Sequence, residues 1–262
     1  MTTHGRTPIH QWADALEAHA ESLETDLVTR VAVLASTAST QDAASRMAAG
    51  QPGLLLITGH QTTGRGRLGR GWLDSPDHSL AMTLALSAHA HDAPALALAA
   101  GVAIADACAE SLAEDTLGLK WPNDVVERRT ARKLAGVLIE TVGPIALVGI
   151  GVNVSHPREA LDADGLLTAT SLRDLGSDAD RLDTAKALLT NLSLAVRAPE
   201  AELLEAWRRR DTLTGTHHAF VHDGQRYEGV VESIDPTLTL VVRTRDGIQR
   251  LPALTTAVDP DP

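Results

Sequence analysis

Residues 64–72 combine a flexible backbone with fixed positive charge in one short segment. They read Gly-Arg-Gly-Arg-Leu-Gly-Arg-Gly-Trp, which is three arginines and four glycines without an acidic residue. Glycine lets the backbone adopt positive φ and approach a ligand closely, and each guanidinium can bind carboxylate or phosphate oxygens bidentately. In a chain with a net charge of -11, this segment, called the arginine loop below, predicts a binding site for a small anionic ligand.

A second polar segment, residues 120–124, reads Lys-Trp-Pro-Asn-Asp. Proline fixes the backbone, so Asn123 and Asp124 are held in a defined turn after a short apolar stretch. Mg²⁺ in proteins prefers one or two carboxylates together with phosphate oxygens and water. Asp124 could therefore hold Mg²⁺ against a triphosphate, although an aspartate in such a turn is more often only a turn former.

Two further segments place polar side chains on largely apolar strands. Residues 133–140, Lys-Leu-Ala-Gly-Val-Leu-Ile-Glu, put Lys133 at the mouth of a strand, and Gly136 permits close backbone approach. A lysine beside a strand is usually solvated, but one that faces the arginine loop would stabilise charge developing on a phosphate. Residues 149–154, Gly-Ile-Gly-Val-Asn-Val, carry Asn153 as their only polar side chain, which suits it to the edge of a base or sugar.

Several common motifs could explain the arginine loop, and the sequence disfavours each. Its glycines match G-x-G-x-x-G, but a dinucleotide-binding fold needs a helix next, and Asp-Ser-Pro-Asp at residues 74–77 prevents one. A Walker loop would end in Gly-Lys-Ser/Thr, which is absent. The histidines lack an H-E-x-x-H pattern or paired cysteines, and no G-x-S-x-G is found. The loop could also be an ordinary solvated surface loop without a ligand. The presence of the other polar segments in the same chain argues against this alternative.

Bulk composition narrows the class further. At 262 residues with 44% hydrophobic content, the chain fits one large domain or one domain with a small appendage. The acidic balance argues against non-specific nucleic-acid binding. The single cysteine, Cys108, lies in an apolar helical pattern and indicates buried packing. With no signal peptide and no long apolar run, a soluble cytoplasmic protein is predicted.

The periodicity predicts an α+β chain with an all-β end. Helical patterns cover the following segments: 12–27, 41–49, 94–112, 184–196 and 200–210. Strand patterns cover 54–58, 80–86 and a hairpin formed by 134–140 and 145–154. After Thr214-Gly215 the helical pattern stops, and Asp-Gly or Asp-Pro turn signals recur. The domains are predicted at 1–212 and 213–262, the second as a small barrel.

Taken in order, these motifs closely resemble those of the biotin protein ligases. The resemblance rests on Ser39-Thr40, Gln61 with the arginine loop, residues 120–124, residues 133–140 and Gly-x-Gly-x-Asn at 149–153, and it spans about residues 30–260. It implies a class II synthetase-like α+β catalytic domain on a mixed sheet, followed by an SH3-like barrel. It also implies that biotin and MgATP give biotinyl-5′-AMP and pyrophosphate, after which a lysine of a biotin carboxyl carrier domain takes the biotinyl group.

The resemblance also carries roles to individual residues of this sequence. The biotin-binding set it implies is Ser39, Thr40, Gln61, Gly64, Arg65, Arg67, Lys133 and Gly136. The ATP-binding set it implies is Arg67, Trp72, Asn123, Asp124, Lys133 and Asn153. Lys133 and Arg67 would act in catalysis by offsetting the repulsion between a carboxylate and an α-phosphate, and Asp124 would hold Mg²⁺.

The sequence departs from the family pattern in three places. Gln41 stands where asparagine usually follows Ser-Thr, and Leu68 occupies a loop position that is often basic. The first thirty residues are too few for a helix-turn-helix domain, so no DNA binding is expected. A lipoate or octanoate ligase or transferase of the same fold is the nearest enzymatic alternative, although the expected Gly-Gly-Gly loop is missing. A non-enzymatic biotin sensor is the second alternative. The sequence leaves open whether the protein is a monomer or a weak homodimer.

Overall fold

The computed structural model describes most of the chain, namely residues 7–69, 71–113, 115–163, 165–253 and 255–259. Arg70, the third arginine of the arginine loop, lies outside these residues, and Leu68 is described only by its backbone. Among the described residues, no helix combines the length and apolar character needed to span a bilayer.

Six α-helices and fourteen strands are formed by the described residues. The helices are α1 (Trp12–Ser22), α2 (Thr40–Ala48), α3 (Ala93–Ala109), α4 (Arg158–Ala163), α5 (Arg181–Ala195) and α6 (Glu200–Arg210). The first nine strands are β1 (Arg30–Leu34), β2 (Leu54–Thr58), β3 (Gly64–Arg65), β4 (Gly71–Trp72), β5 (Ser79–Ser87), β6 (Leu117–Lys120), β7 (Asp124–Glu127), β8 (Lys133–Val142) and β9 (Ile145–Asn153). The last five are β10 (His217–His222), β11 (Gln225–Asp235), β12 (Thr239–Thr244), β13 (Gly247–Pro252) and β14 (Thr256–Val258).

A seven-stranded mixed sheet forms the frame of the larger part of the chain. Its strand order is β1-β2-β5-β9-β8-β7-β6. β1 and β2 are parallel, and the other neighbours are antiparallel. The predicted hairpin is confirmed, because β8 and β9 pair from Val142 opposite Ile145 to Ala135 opposite Val152. The predicted α+β fold with a mixed sheet is therefore confirmed.

Successive side chains of a strand point to opposite faces of the sheet, and the central strands β5 and β9 are buried along most of their length. Both faces of the sheet are therefore covered by helices. α3 has an almost entirely apolar sequence and is buried between the sheet and the helices α5 and α6. Its start is fixed by Asp92, whose Oδ1 accepts a hydrogen bond from the backbone N–H of Ala95 at 2.7 Å. On the other face, alanines of α2 pack against β2, β5 and β9. This second face carries the site described below.

The C-terminal strands form a separate antiparallel sheet, in the order β13-β12-β11-β10-β14, consistent with the predicted SH3-like domain. The predicted turn signals Asp223-Gly224, Asp235-Pro236 and Asp246-Gly247 each lie where consecutive strands join. Phe220 in this sheet contacts the ring of Trp121 edge-on, with 6.2 Å between ring centroids. The predicted domain boundary at 212 falls between the end of α6 and the start of β10, and it stays a prediction.

Candidate active site

A cavity of about 540 Å³ lies between the seven-stranded sheet, the arginine loop and the C-terminal sheet. Ten of the twelve site residues predicted from the sequence line it: Ser39, Thr40, Gln61, Arg65, Arg67, Trp72, Asn123, Asp124, Lys133 and Gly136. The remaining two, Gly64 and Asn153, are not among its described lining residues. Two of the three lysines of the chain, Lys120 and Lys133, also line the cavity.

Glycines on neighbouring strands form the floor of the cavity. On β9, Ile145 and Leu147 are covered by α2, whereas the next positions on the same face are Gly149 and Gly151. Gly136 of β8 pairs directly with Gly151. Because these positions lack side chains, the sheet leaves a depression exactly where the helix cover ends. The sequence pattern indicated close backbone approach at Gly136, but it did not show that Gly149 and Gly151 extend the same floor.

One end of the cavity is formed by the N-terminus of α2. Ser39 is the N-cap residue of this helix, but its side chain makes no capping hydrogen bond. Gln61 replaces it, because its Oε1 accepts from the backbone N–H of Thr40 at 2.7 Å and from the Thr40 hydroxyl at 3.1 Å. The capping acceptor is thus supplied by a side chain from outside the helix, and Ser39 and Thr40 both line the cavity.

Gln41, the departure from the family pattern, is buried beneath the same end. Its Nε2 donates to the carbonyl oxygens of Leu138 at 3.0 Å and Leu147 at 3.4 Å. A Cβ at Gly149 would lie 3.0 Å from the Cδ of Gln41, so the longer side chain depends on that glycine. Gln41 therefore ties α2 to the sheet and also lines the cavity.

The arginine loop folds over the cavity as a small hairpin. β3 and β4 pair through Gly64 opposite Trp72 and Arg65 opposite Gly71. A Cβ at Gly64 would lie 2.5 Å from the Nε2 of Gln61. Gly64 therefore permits this close packing and does not itself line the cavity.

Two carboxylates already hold Arg65. Its Nη2 lies 2.9 Å from Asp42 and 3.1 Å from Glu140, which belong to α2 and β8. Burial lowers the pKa of Arg65, but the two carboxylates outweigh that effect, and the net pKa is raised. Arg65 thus fixes the loop to both elements as well as lining the cavity.

Arg67 lies deeper and reaches the C-terminal sheet. Its Nη2 donates to the carbonyl oxygen of Ala253 at 3.4 Å. Burial lowers the pKa of Arg67, and the nearby carboxylate of Asp124 partly opposes that shift. A guanidinium stays charged at neutral pH even with such a shift. Arg67 is therefore a partly desolvated cation that links the arginine loop to the C-terminal part of the chain.

Trp72 lies flat against the glycine floor. A Cβ at Gly151 would be 2.5 Å from Cε2 of the indole, so only glycine permits this contact. The indole N–H is buried and has no partner among the described residues. The Nζ of Lys133 lies 5.7 Å from the ring centroid. The ring therefore connects the arginine loop to Lys133.

Lys133 points into the cavity toward the loop, as the sequence interpretation required. It begins β8, and its Nζ lies 2.6 Å from Oδ1 of Asp124 at the start of β7. A Cβ at Gly136 would come within 3.0 Å of Nζ, so this glycine makes room for the folded-back side chain. A cation, its counter-ion and a partly buried guanidinium thus lie together at one end of the cavity.

The two predicted asparagines lie on either side of this cluster. Asn123 lines the cavity, and its Nδ2 donates to the carbonyl oxygen of Val137 at 2.6 Å. Asn153 is buried, and its Nδ2 donates to the carbonyl oxygen of Lys133 at 3.4 Å. Asn153 therefore supports the backbone of Lys133.

Sequence reasoning missed the contribution of the C-terminal sheet. His217, His218 and residues 256–259 line the cavity together with residues of the arginine loop. The pKa of His218 is lowered by burial and, to a lesser extent, by the nearby Lys120 and His217. The pair of adjacent histidines was visible in the sequence, but only the packing of one sheet on the other brings them to the cavity. Among the described residues, no group of three His, Cys, Asp or Glu side chains could hold a metal ion.

Most of the residues that line this cavity lie in the part of the chain that matches a known protein family. Residues 32–155 match the model of the Biotin/lipoate A/B protein ligase family. A biotin–[acetyl-CoA-carboxylase] ligase of Mycobacterium tuberculosis is 38% identical over 216 residues, which cover 78% of this chain and 79% of that protein. The chain belongs to the biotin/lipoate A/B protein ligase family, and the resemblance to biotin protein ligases is confirmed.

Solved structures agree with this assignment at the level of the fold. A biotin protein ligase from Aquifex aeolicus in complex with biotin and ATP matches with a TM-score of 0.74 and 24% identity, over 88% of this chain and 99% of that one. A biotin protein ligase from Leishmania major in complex with biotinyl-5-AMP matches with a TM-score of 0.61 and 25% identity, over 86% of this chain and 99% of that one.

Proposed function

We propose that this protein ligates biotin to a lysine of a biotin carboxyl carrier domain through a biotinyl-5′-AMP intermediate. The observation that carries the proposal is the cluster of Lys133, Asp124 and Arg67 beneath Trp72, at one end of a cavity whose other end is built from amide and hydroxyl groups. Such a cavity suits a ligand with a compact polar head and an anionic tail.

Biotin would lie along the floor between these two ends. Its ureido head would contact the α2 end, where Ser39, Thr40 and Gln61 converge. Its carboxylate would point to Arg67 and Lys133. ATP would occupy the remaining space toward Trp72 and Asn123 on the side of the C-terminal sheet.

In the first step a biotin carboxylate oxygen forms a bond to the α-phosphorus of ATP, and the bond from that phosphorus to the pyrophosphate oxygen breaks. Two anions must be held within bonding distance, so fixed cations lower the barrier. Lys133 and Arg67 supply these cations. In the second step the amine of a carrier lysine attacks the acyl carbon, AMP leaves, and the amine loses a proton.

The residues present fit a magnesium ion that is bound mainly by phosphates. Mg²⁺ needs only one or two protein carboxylates when phosphate oxygens and water complete its shell, and Asp124 supplies one at the cavity wall. The ion would neutralise phosphate charge. Because Asp124 lies 2.6 Å from Lys133, the two cations would share this carboxylate.

Isotope exchange between pyrophosphate and ATP tests the proposal directly. We expect exchange that requires biotin and is not supported by lipoate or octanoate, and we expect transfer of biotin to an added carrier domain. Exchange driven by lipoate would favour the alternative activity within the family. Binding of biotin without any exchange would favour a sensor. A cytoplasmic location, the absence of DNA binding and the oligomeric state stay predictions.

Replacing Gly151 by alanine should weaken ATP binding. The new methyl group would meet the indole of Trp72 at 2.5 Å, so the ring must leave the floor. We expect the KM for ATP to rise about tenfold, the effect of misplacing one aromatic contact, with a smaller change for biotin. Gly143→Ala is the control, since nothing lies within 4 Å of its position, although its φ of +56° adds backbone strain. An unchanged KM for ATP would remove Trp72 from the nucleotide site.

A further inference from the structure

Asp74, which follows the arginine loop, joins the two ends of the loop at its base. Its Oδ2 accepts the backbone N–H of Gln61 at 2.5 Å and lies 3.1 Å from Nδ1 of His60. The side chain of Asp74 is only 2% exposed. Burying a carboxylate costs free energy because the charged group loses its hydration, so a buried carboxylate needs compensating contacts. Here burial raises the pKa of Asp74, and the contacts with Gln61 and His60 oppose that shift.

The start of the loop is already fixed by the neighbouring backbone. Thr62 donates to the carbonyl oxygen of Thr37 at 2.9 Å, and Thr63 donates to that of Ala38 at 2.8 Å. The return strand, β4, is only two residues long. The carboxylate of Asp74 therefore ties the returning chain to the fixed segment at residues 60–61.

The same contact reaches the cavity through Gln61. Asp74 holds the backbone of Gln61, and the Gln61 side chain accepts both hydrogen bonds from Thr40 at the α2 end. Loop closure and the polar end of the cavity thus depend on one buried carboxylate. Asp74 itself does not line the cavity among its described residues, so it would act through Gln61 and the loop.

We propose that Asp74 is a positioning residue that keeps the arginine loop closed over the activated intermediate. The part of this proposal that concerns the intermediate rests on the proposed function. The part that concerns the loop does not, because closure can be measured without any substrate.

Limited trypsin digestion of the ligand-free protein measures loop closure, since trypsin cleaves after the loop arginines. We expect Asp74→Ala to speed cleavage in residues 65–70 about tenfold, as loss of buried hydrogen bonds opens the loop. Asp74→Asn keeps one acceptor oxygen for Gln61 and should give an intermediate rate. Asp77→Asn is the matched control for Asp74→Asn, because Asp77 is three residues away, 75% exposed and paired with Arg181, and asparagine tolerates its φ of +65°.

The second measurement is escape of the intermediate, followed as biotin on lysines of an added bystander protein. We expect Asp74→Ala to raise escape about tenfold while pyrophosphate exchange falls less than about threefold. Unchanged cleavage overturns the proposal, and so does faster cleavage with full retention of the intermediate. Equal losses in exchange, retention and melting temperature would show a structural role only.

If the parent protein makes no intermediate, the proposed function fails and the cleavage rates alone decide the role of Asp74. If Asp74→Ala does not fold, Asp74→Asn against Asp77→Asn provides the same comparison.

Discussion

We expect Lys133→Ala to lower the rate of the proposed adenylate formation by about a thousandfold, the size of effect that follows when a preorganised charge at a reaction centre is removed. The Nζ of Lys133 lies at the meeting point of the arginine loop, Trp72 and Asp124. No other described lysine side chain is fixed by an ion pair at this end of the cavity. Single-turnover release of pyrophosphate measures the effect. Release at a near-normal rate would contradict the assignment.

The effect of removing the Lys133 charge must be distinguished from a folding defect and from the effect of leaving the Asp124 carboxylate unpaired. The side chain of Lys133 is 36% exposed, so loss of this ion pair should cost about 1 kcal/mol or less of folding free energy. Lys186→Ala on α5 is the control for loss of a lysine elsewhere. Adding Asp124→Asn to Lys133→Ala removes the uncompensated negative charge. Partial recovery in the double variant, despite loss of the carboxylate proposed to hold Mg²⁺, would show that part of the loss comes from repulsion of the phosphates.

Arg67→Gly should release the activated intermediate from the cavity. Arg67 reaches from the arginine loop to the carbonyl oxygen of Ala253 in the C-terminal part of the chain. Its removal therefore breaks this hydrogen bond and also removes a positive charge from the cavity. A charge-assisted contact in a partly desolvated site is stronger than one in water, and we expect escape to rise about a hundredfold. Biotin on bystander lysines gives the measurement.

Two control variants distinguish loss of the bridge from general flexibility. Arg129→Gly makes the same substitution at a side chain that is 85% exposed and far less confined. Arg67→Lys keeps the charge but loses the planar guanidinium. We expect retention to be normal in the first and intermediate in the second. Retention of the intermediate by Arg67→Gly itself would mean that Arg67 does not close the cavity.

Local patterns in the sequence were sufficient for the elements that form from neighbouring residues. The β8–β9 hairpin and the turns at Asp223-Gly224 and Asp246-Gly247 follow from alternation and turn chemistry. Lys133 could be placed because it opens a strand. Its ion pair with Asp124 joins residues of neighbouring strands, and the motifs alone did not specify that pairing.

The features that the sequence did not predict depend on contacts between distant segments. Gln61 caps α2 from 21 positions away, and a local capping rule can consider only Ser39 and its neighbours. Strand β1 has a mixed burial pattern at the edge of the sheet, so its alternation is weak. Asn153 matched a binding motif, yet its side chain turns to the backbone of Lys133. Family motifs thus locate the region, whereas packing decides which side chains reach the cavity.

On the proposed function, the small number of lysines affects how readily the protein would acylate itself. An acyl-adenylate modifies any free amine that it meets, and this chain has only three lysine side chains, two of which line the cavity. The ammonium of Lys133 is paired with Asp124, and a protonated amine has no lone pair for attack. The remaining cationic side chains are arginines, which do not act as acyl acceptors at neutral pH. The composition therefore limits self-acylation while preserving the positive charge that the reaction needs.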